Sequence, residues 1–182
     1  MILTTIDKIS YRKKPQGNEV GIISNRIAKG IYEVNDLKKF ADLISKKGNT
    51  WCPAVFNNKR SINNFVSTQI ISLDFDGGIS LDDVLSRSKQ YMLPVLFAYE
   101  TFSSIEKNKF RVVFILDTII TDLNIFKFVI DIFMKIFPEC DKSCKDVSRM
   151  FFGGKQLIYY NDSEYFVNMK THMLNFSLYL KD

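Results

Sequence analysis

The chain is poor in cysteine, proline and histidine, with 3 Cys, 4 Pro and 1 His among 182 residues. Three thiols make no disulfide framework in a chain this long, which excludes a small secreted scaffold and points to a reducing, cytoplasmic setting. So few prolines, with only 8 glycines, exclude a collagen-like rod and a low-complexity linker. Long apolar runs are also missing. The stretch Phe126–Phe137 is broken by Lys127, Asp131 and Lys135, so no bilayer span and no membrane partner are expected. The chain opens without a basic region followed by an apolar stretch, so a signal peptide is not expected. What is present, 46% hydrophobic and 25% charged residues, suits one globular core. Without repeats or linkers, residues 1–182 read as a single domain of catalytic size.

Charge is unevenly spread. Residues 1–73 carry 12 Lys and Arg against 5 Asp and Glu, whereas residues 74–182 carry 13 against 15. A basic half joined to an acid-bearing half suits an enzyme that holds a polyphosphate backbone and also binds metal. A mildly basic surface with no polyanionic partner fits the total of +5 equally well.

Periodicity predicts three helices. Asn35 is the expected cap of a helix starting at Asp36, with Leu37, Phe40, Ala41 and Ile44 inward and Gly48 at the exit. Ser80-Leu-Asp-Asp83 reads as a capping box before a helix burying Leu81, Val84 and Leu85. A third helix, over about 122–137, turns Ile125, Val129, Ile132, Phe133 and Ile136 inward and stops at Pro138. Strands are expected at Thr68–Asp76, Val95–Phe102 and Phe110–Asp117, with a weaker pair at Gln156–Tyr160 and Tyr165–Met169. Strands mixed with helices, without strict alternation, point to an α+β fold.

The most informative stretch is Ile70-Ile-Ser-Leu-Asp-Phe-Asp-Gly-Gly78. In a strand Ile71, Leu73 and Phe75 face one way, and Ser72, Asp74 and Asp76 the other. Two carboxylates then share a face with Cα atoms about 7 Å apart. That spacing lets their oxygens converge on one divalent ion or a pair; without a cation the like charges repel and one tends to protonate. Haloacid-dehalogenase-type phosphatases and polymerase-type sites both use such a strand. The phosphatase pattern wants Thr where Gly78 stands, and its acid strand usually opens the domain.

Further on lie Tyr99-Glu-Thr-Phe-Ser-Ser-Ile-Glu-Lys-Asn-Lys-Phe-Arg-Val-Val-Phe-Ile-Leu116 and Cys140-Asp-Lys-Ser-Cys-Lys-Asp-Val-Ser-Arg-Met-Phe-Phe-Gly-Gly154. The ordered set, over roughly residues 50–155, resembles the archaeo-eukaryotic primase superfamily, in particular primase-polymerase domains of phage, plasmid and mobile-element replication proteins. The resemblance implies an α+β primase-like core with an RNA-recognition-like sheet and an N-terminal α/β lobe. It further implies a metal-dependent nucleotidyltransferase acting in DNA replication as a DNA primase and polymerase. On it, Asp74 and Asp76 match the paired acids, and Cys140-Asp141 matches the apolar-then-acid motif completing the metal site, with Asp146 as the alternative third acid. Two Mg²⁺ or Mn²⁺ ions, nucleoside triphosphates, a single-stranded DNA template and a replicative helicase in cis or trans are the implied cofactors and partners, and a helicase in cis would make residues 1–182 the N-terminal portion of a longer replication protein.

The second motif departs from the family pattern. Ser103 and Ser104 are present, but no His follows, and the one His is His172. Lys109 and Arg111 stand where the family's His-bearing strand would run, on one face opposite Phe110, Val112 and Phe114. A guanidinium grips phosphate bidentately, so Arg111 is the expected replacement, with Ser103, Lys109 and Arg149 as further nucleotide contacts. An exposed basic strand face, or a structural salt bridge for Arg149, remains the plainer alternative. The missing His also leaves open a catalytically silent module that binds single-stranded DNA.

The stretch Trp51–Arg60 interleaves aromatic and basic residues, offering Lys59 and Arg60 to a nucleic-acid backbone, although a Trp is more often core. Tyr11-Arg-Lys-Lys14 reads as a solvated charged segment. Cys52, Cys140, Cys144 and His172 include zinc-ligand types, but their spacing is loose and the cysteines read as reduced thiols.

Overall fold

The computed structural model describes residues 1–173. Its elements run β1 (Ile2–Ile6), α1 (Asn18–Ile27), β2 (Ile31–Val34), α2 (Leu37–Ser45), β3 (Trp51–Cys52) and β4 (Ala54–Phe56), then β5 (Phe65–Phe75) and α3 (Leu81–Gln90). They continue with β6 (Phe97–Thr101), β7 (Phe110–Ile120), α4 (Leu123–Ile136), a 3₁₀ turn at Lys142–Lys145 and β8 (Gly154–Tyr160). Two antiparallel sheets form, β2-β1-β3 and β4-β5-β7-β6-β8, and the chain passes from one to the other at Pro53, between β3 and β4. The architecture is α+β, with a small α/β lobe built on the first ordered residues.

Strand register explains the two faces of the larger sheet. Residues directly opposite on antiparallel strands share a face. Phe75 pairs with Phe110, Leu73 with Val112 and Ile71 with Phe114, making one apolar face. Phe133 and Phe137, at the end of α4, pack on its Phe75 and Phe114 rings at 5.0–6.2 Å between centroids. On the other face Asp74 stands opposite Arg111, and Arg111 opposite Tyr99. Phe97, on the same face as Tyr99, meets Phe40 of α2 edge-on, and Phe40 meets Trp51. The N-terminal lobe therefore closes the polar face at one end and leaves Asp74 at its open end.

Local details correct three expectations and bear out others. Asp36, not Asn35, caps α2, because its carboxylate accepts from Lys39 N at 2.8 Å. Ser80 does cap α3, accepting from Asp83 N and donating to the Asp83 carboxylate. Ile125 is 46% exposed, since the buried arc of α4 runs through Phe126, Val129, Ile130 and Phe133 and leaves it at the rim. Residues 165–169 form no strand: Val167 makes an isolated parallel bridge to Leu116, and the Met169 N–H donates to Asp117 Oδ1 at 3.0 Å. The segment 11–14 is exposed at Arg12, Lys13 and Lys14 as expected, while Tyr11 accepts from Arg26 and Arg12 donates to the Lys46 carbonyl. Trp51 is fully buried.

Candidate active site

Three carboxylates come together from two elements. Asp74 lies one residue before the end of β5, and Asp76 just beyond it on the same side. Asp141 arrives from the loop after α4. Its backbone N–H donates to the Asp74 carbonyl at 2.8 Å, and its carboxylate caps the following 3₁₀ turn by accepting from Ser143 N at 2.9 Å. One carboxylate oxygen from each of Asp74, Asp76 and Asp141 lies within 4.8 Å of the others. Asp146, the alternative third acid, turns away and accepts from the Ser148 N–H and hydroxyl at 2.8 and 2.7 Å.

Three cations meet these acids. Arg111 brings Nε to 3.0 Å and Nη2 to 3.2 Å from the two oxygens of Asp74, while Nη1 donates to the Phe152 carbonyl at 2.5 Å. Its guanidinium lies beside the rings of Tyr99 and Phe151 at 5.8 and 5.4 Å. Tyr99 in turn accepts from Trp51 Nε1 at 3.1 Å and donates to the Phe152 carbonyl at 3.2 Å. Arg149 places Nη2 2.8 Å from Asp74 Oδ2 and 2.9 Å from Asp141 Oδ2, and its Nη1 donates to Ser143 Oγ. Lys109 reaches Asp76 at 3.6 Å. Three formal negative charges therefore face three positive ones.

The electrostatics follow from this pairing. Burial works to raise the Asp141 carboxyl, but Ser143 and Arg149 overcome it and hold the group below the usual carboxylate range. Burial works against the charged form of Arg111 too, yet Tyr99 and Asp74 outweigh it and raise its pKa, so the guanidinium stays charged. Burial pushes the thiols of Cys52 and Cys140 up to about 12, so both stay protonated.

The acids open onto a pocket of about 220 Å³ lined by Asp74, Asp76, Asp141, Arg111 and Arg149, with Thr101, Phe102, Ser103, Met150, Phe152, Gly153 and Lys14 completing it. Lys14 comes from the segment read as solvated; its ammonium stands 6.0 Å from the Phe152 ring. The lobe is seated here by glycine contact. A Cβ on Gly153 would lie 2.3 Å from the Gly48 carbonyl carbon, and one on Gly48, at φ +77°, 2.0 Å from the Tyr11 carbonyl oxygen. Only backbone this bare can approach so closely.

Of the residues expected at the site, Asp74, Asp76, Asp141, Ser103, Arg111 and Arg149 line the pocket, and Lys109 pairs with Asp76. Lys59 and Arg60 do not reach it. Arg60 is spent between lobe and loop, donating to Ser24 Oγ and the Ser148 carbonyl, so it braces structure at that point. Arg111 faces the acids as expected, but its donors are committed to Asp74 and Phe152, which makes it a brace on Asp74 rather than an open phosphate grip. Sequence reading missed Lys14, Tyr99, Thr101, Met150 and Phe152. Tyr99 was traceable, because the row Asp74–Arg111–Tyr99 follows once the three strands are aligned.

Among solved structures the chain superposes on the AEP domain of the cyanophage S-2L primase-polymerase. The match has a TM-score of 0.54 and 12% sequence identity, and covers 95% of this chain and 88% of that one. The fold is that of a primase-polymerase domain. No family model and no curated protein matches the sequence. Within this primase-polymerase fold the three acids fit a divalent ion by their chemistry. All are oxygen donors, as hard cations prefer. Asp74 Oδ1 is buried without accepting a hydrogen bond of good geometry, and Asp76 is 60% exposed toward solvent. Among the described residues no helix is long and apolar enough to cross a membrane.

Proposed function

We propose that this domain is a template-directed nucleotidyltransferase of the primase-polymerase type, joining nucleoside triphosphates on a single-stranded DNA template. The observation that carries the reading is the convergence of Asp74, Asp76 and Asp141 within 4.8 Å at the open end of a primase-polymerase fold. These residues would hold the divalent ions, Mg²⁺ or Mn²⁺. When bound, such ions lower the pKa of the attacking 3′-hydroxyl and neutralise the departing pyrophosphate. The protein's own part is positioning. Arg111 and the Tyr99 hydroxyl behind it fix the Asp74 carboxylate. The bond from Asp141 N to the Asp74 carbonyl sets the third acid against the strand. Lys14, Ser103 and Lys109 stand around the opening where a triphosphate would enter.

A second reading, a silent module that binds single-stranded DNA, draws on a specific observation: the family's motif His is absent, and Arg111 and Arg149 already neutralise Asp74. Extension of a labelled primer on single-stranded template separates the two. With Mn²⁺ and nucleoside triphosphates the first reading expects product from the wild type and at least about a 10³-fold loss in Asp74→Asn. No product from the wild type, together with DNA binding that weakens steeply with salt, would select the silent module.

A further inference from the structure

We infer that Arg149 is an internal stand-in for the metal: its guanidinium holds the cation position between Asp74 and Asp141 and must swing out before both acids can hold a divalent ion. This rests on the metal-dependent reading above and adds how that site is regulated. The geometry carries it. Nη2 of Arg149 lies 2.8 and 2.9 Å from one oxygen of each acid. A divalent ion bound to the same two oxygens at about 2.0–2.6 Å would overlap that nitrogen and repel its charge. The oxygens have little spare capacity. Asp74 Oδ2 faces both Arg149 and Arg111 Nη2, Asp74 Oδ1 faces Arg111 Nε, and Asp141 Oδ1 accepts from Ser143 N. Releasing Arg149 frees one acceptor site on each acid at once.

Arg149 is also the arginine that can move. Arg111 sits on β7 between two aromatic rings, ties Nη1 to the Phe152 carbonyl and is 11% exposed. Arg149 sits in the loop beyond the 3₁₀ turn and is 17% exposed, and its other side-chain contacts, Nη1 to Ser143 Oγ and Cys144 Sγ, stay within that turn instead of tying it to the sheet. Its guanidinium lies 5.0 Å from the Phe151 ring, a contact it can keep after leaving the acids, and it borders the pocket where a triphosphate would supply new anionic partners.

The experiment is Mn²⁺ titration of the whole chain without nucleotide, read by the spin-resonance signal of free Mn²⁺. Wild type is compared with Arg149→Ala, Arg149→Gln and Lys109→Ala, each first shown to be folded by circular dichroism. The displacement account expects Mn²⁺ affinity to rise at least about tenfold in Arg149→Ala, with Arg149→Gln in the same direction. Lys109→Ala removes an equal charge 3.6 Å from Asp76 but vacates no position between the acids, so it should tighten binding only about two- to threefold. In parallel, the melting temperature of metal-free Arg149→Ala should fall below that of the wild type and recover more on adding Mn²⁺. Unchanged or weaker affinity in both Arg149 variants overturns the proposal, as does equal tightening in Lys109→Ala, which would reduce the effect to general repulsion. If neither wild type nor any variant binds Mn²⁺, the metal site itself fails and the displacement account with it. Equal binding across wild type and variants, abolished in Asp74→Asn, leaves the site standing and refutes only the role of Arg149.

Discussion

Two Asp–Arg pairs, each with a buried aspartate, stand at strand ends, one in each sheet, and they do different things. Asp7, directly after β1, takes a two-pronged grip from Arg26 of α1 at 2.9 and 2.7 Å, and Arg26 also donates to Tyr11. Asp74, near the end of β5, takes a similar grip from Arg111, with an aromatic hydroxyl again beside the guanidinium. Both aspartates are almost fully buried. The difference lies in what surrounds them. Among the described residues, Asp7 belongs to no cluster of three metal-ligating side chains, whereas Asp74 gathers Asp76 and Asp141 around an open pocket. A buried ion pair by itself is architecture; additional acids beside an opening make a candidate for chemistry.

The comparison breaks most visibly under paired substitution. Asp74→Asn should cost primer extension at least about 10³-fold, whereas Asp7→Asn should leave activity of the folded protein within about twofold. Stability should not separate them, because Asp74→Asn also takes the charged partner from Arg111 and Arg149, which are 11% and 17% exposed. Asp7→Asn is expected to lose about 1–3 kcal/mol, a range held down by the partial exposure of Arg26. For a chain this size that lowers the melting temperature by about 2–4 °C per kcal/mol. Thermal denaturation and extension assays on the same two preparations read both halves. Loss of extension in Asp7→Asn at a temperature where it is fully folded would erase the distinction.

The joint between the regions gives the next effect. Gly153→Ala drives a Cβ into the Gly48 backbone, which no side-chain rotation can relieve. It should destabilise by about 1–3 kcal/mol and weaken nucleotide use, seen as a raised KM, because Lys14 and Phe152 flank the contact. A neutral Gly153→Ala would mean that the lobe is not seated through this seam.

The smallest expected effect is in acid. Asp141 is held below its unfolded value, so it contributes stability above about pH 4, and that contribution is lost as pH falls through its folded value. The stability gap between wild type and Asp141→Asn should therefore be flat from neutral pH to about pH 5 and shrink below about pH 4. Denaturant titrations across that range measure it; a gap that widens in acid contradicts the assignment.

How much of this could be read without coordinates differs between the same two regions. Strands β5, β6 and β7 announce themselves by β-branched and aromatic runs, and α2, α3 and α4 by caps and spacing. The rest of the N-terminal lobe does not. Helix α1 reads NEVGIISNRI, with Gly21 and Asn25 inside and Gly17 at its cap making no side-chain hydrogen bond, so tertiary packing of Ile23 and Ile27 holds it instead of local signals. Asp74 and Asp76 were legible because a strand alternates faces. The ion pair between Arg149 and Asp74 was not, since 75 residues separate them and only the loop after α4 brings them together. The same holds for Lys14: its run is exposed, as expected, but only the docked lobe places it at the pocket.

The central claim, that Asp74, Asp76 and Asp141 form one metal-dependent transfer site, is tested most directly by crystals grown with Mn²⁺ and a nucleoside triphosphate, using the anomalous signal of manganese. The account predicts manganese bound by Asp74, Asp76 and Asp141, with Arg111 still on Asp74 and Arg149 turned away. A map with no manganese at the three acids, and Arg149 still bridging Asp74 and Asp141 beside bound triphosphate, would contradict it.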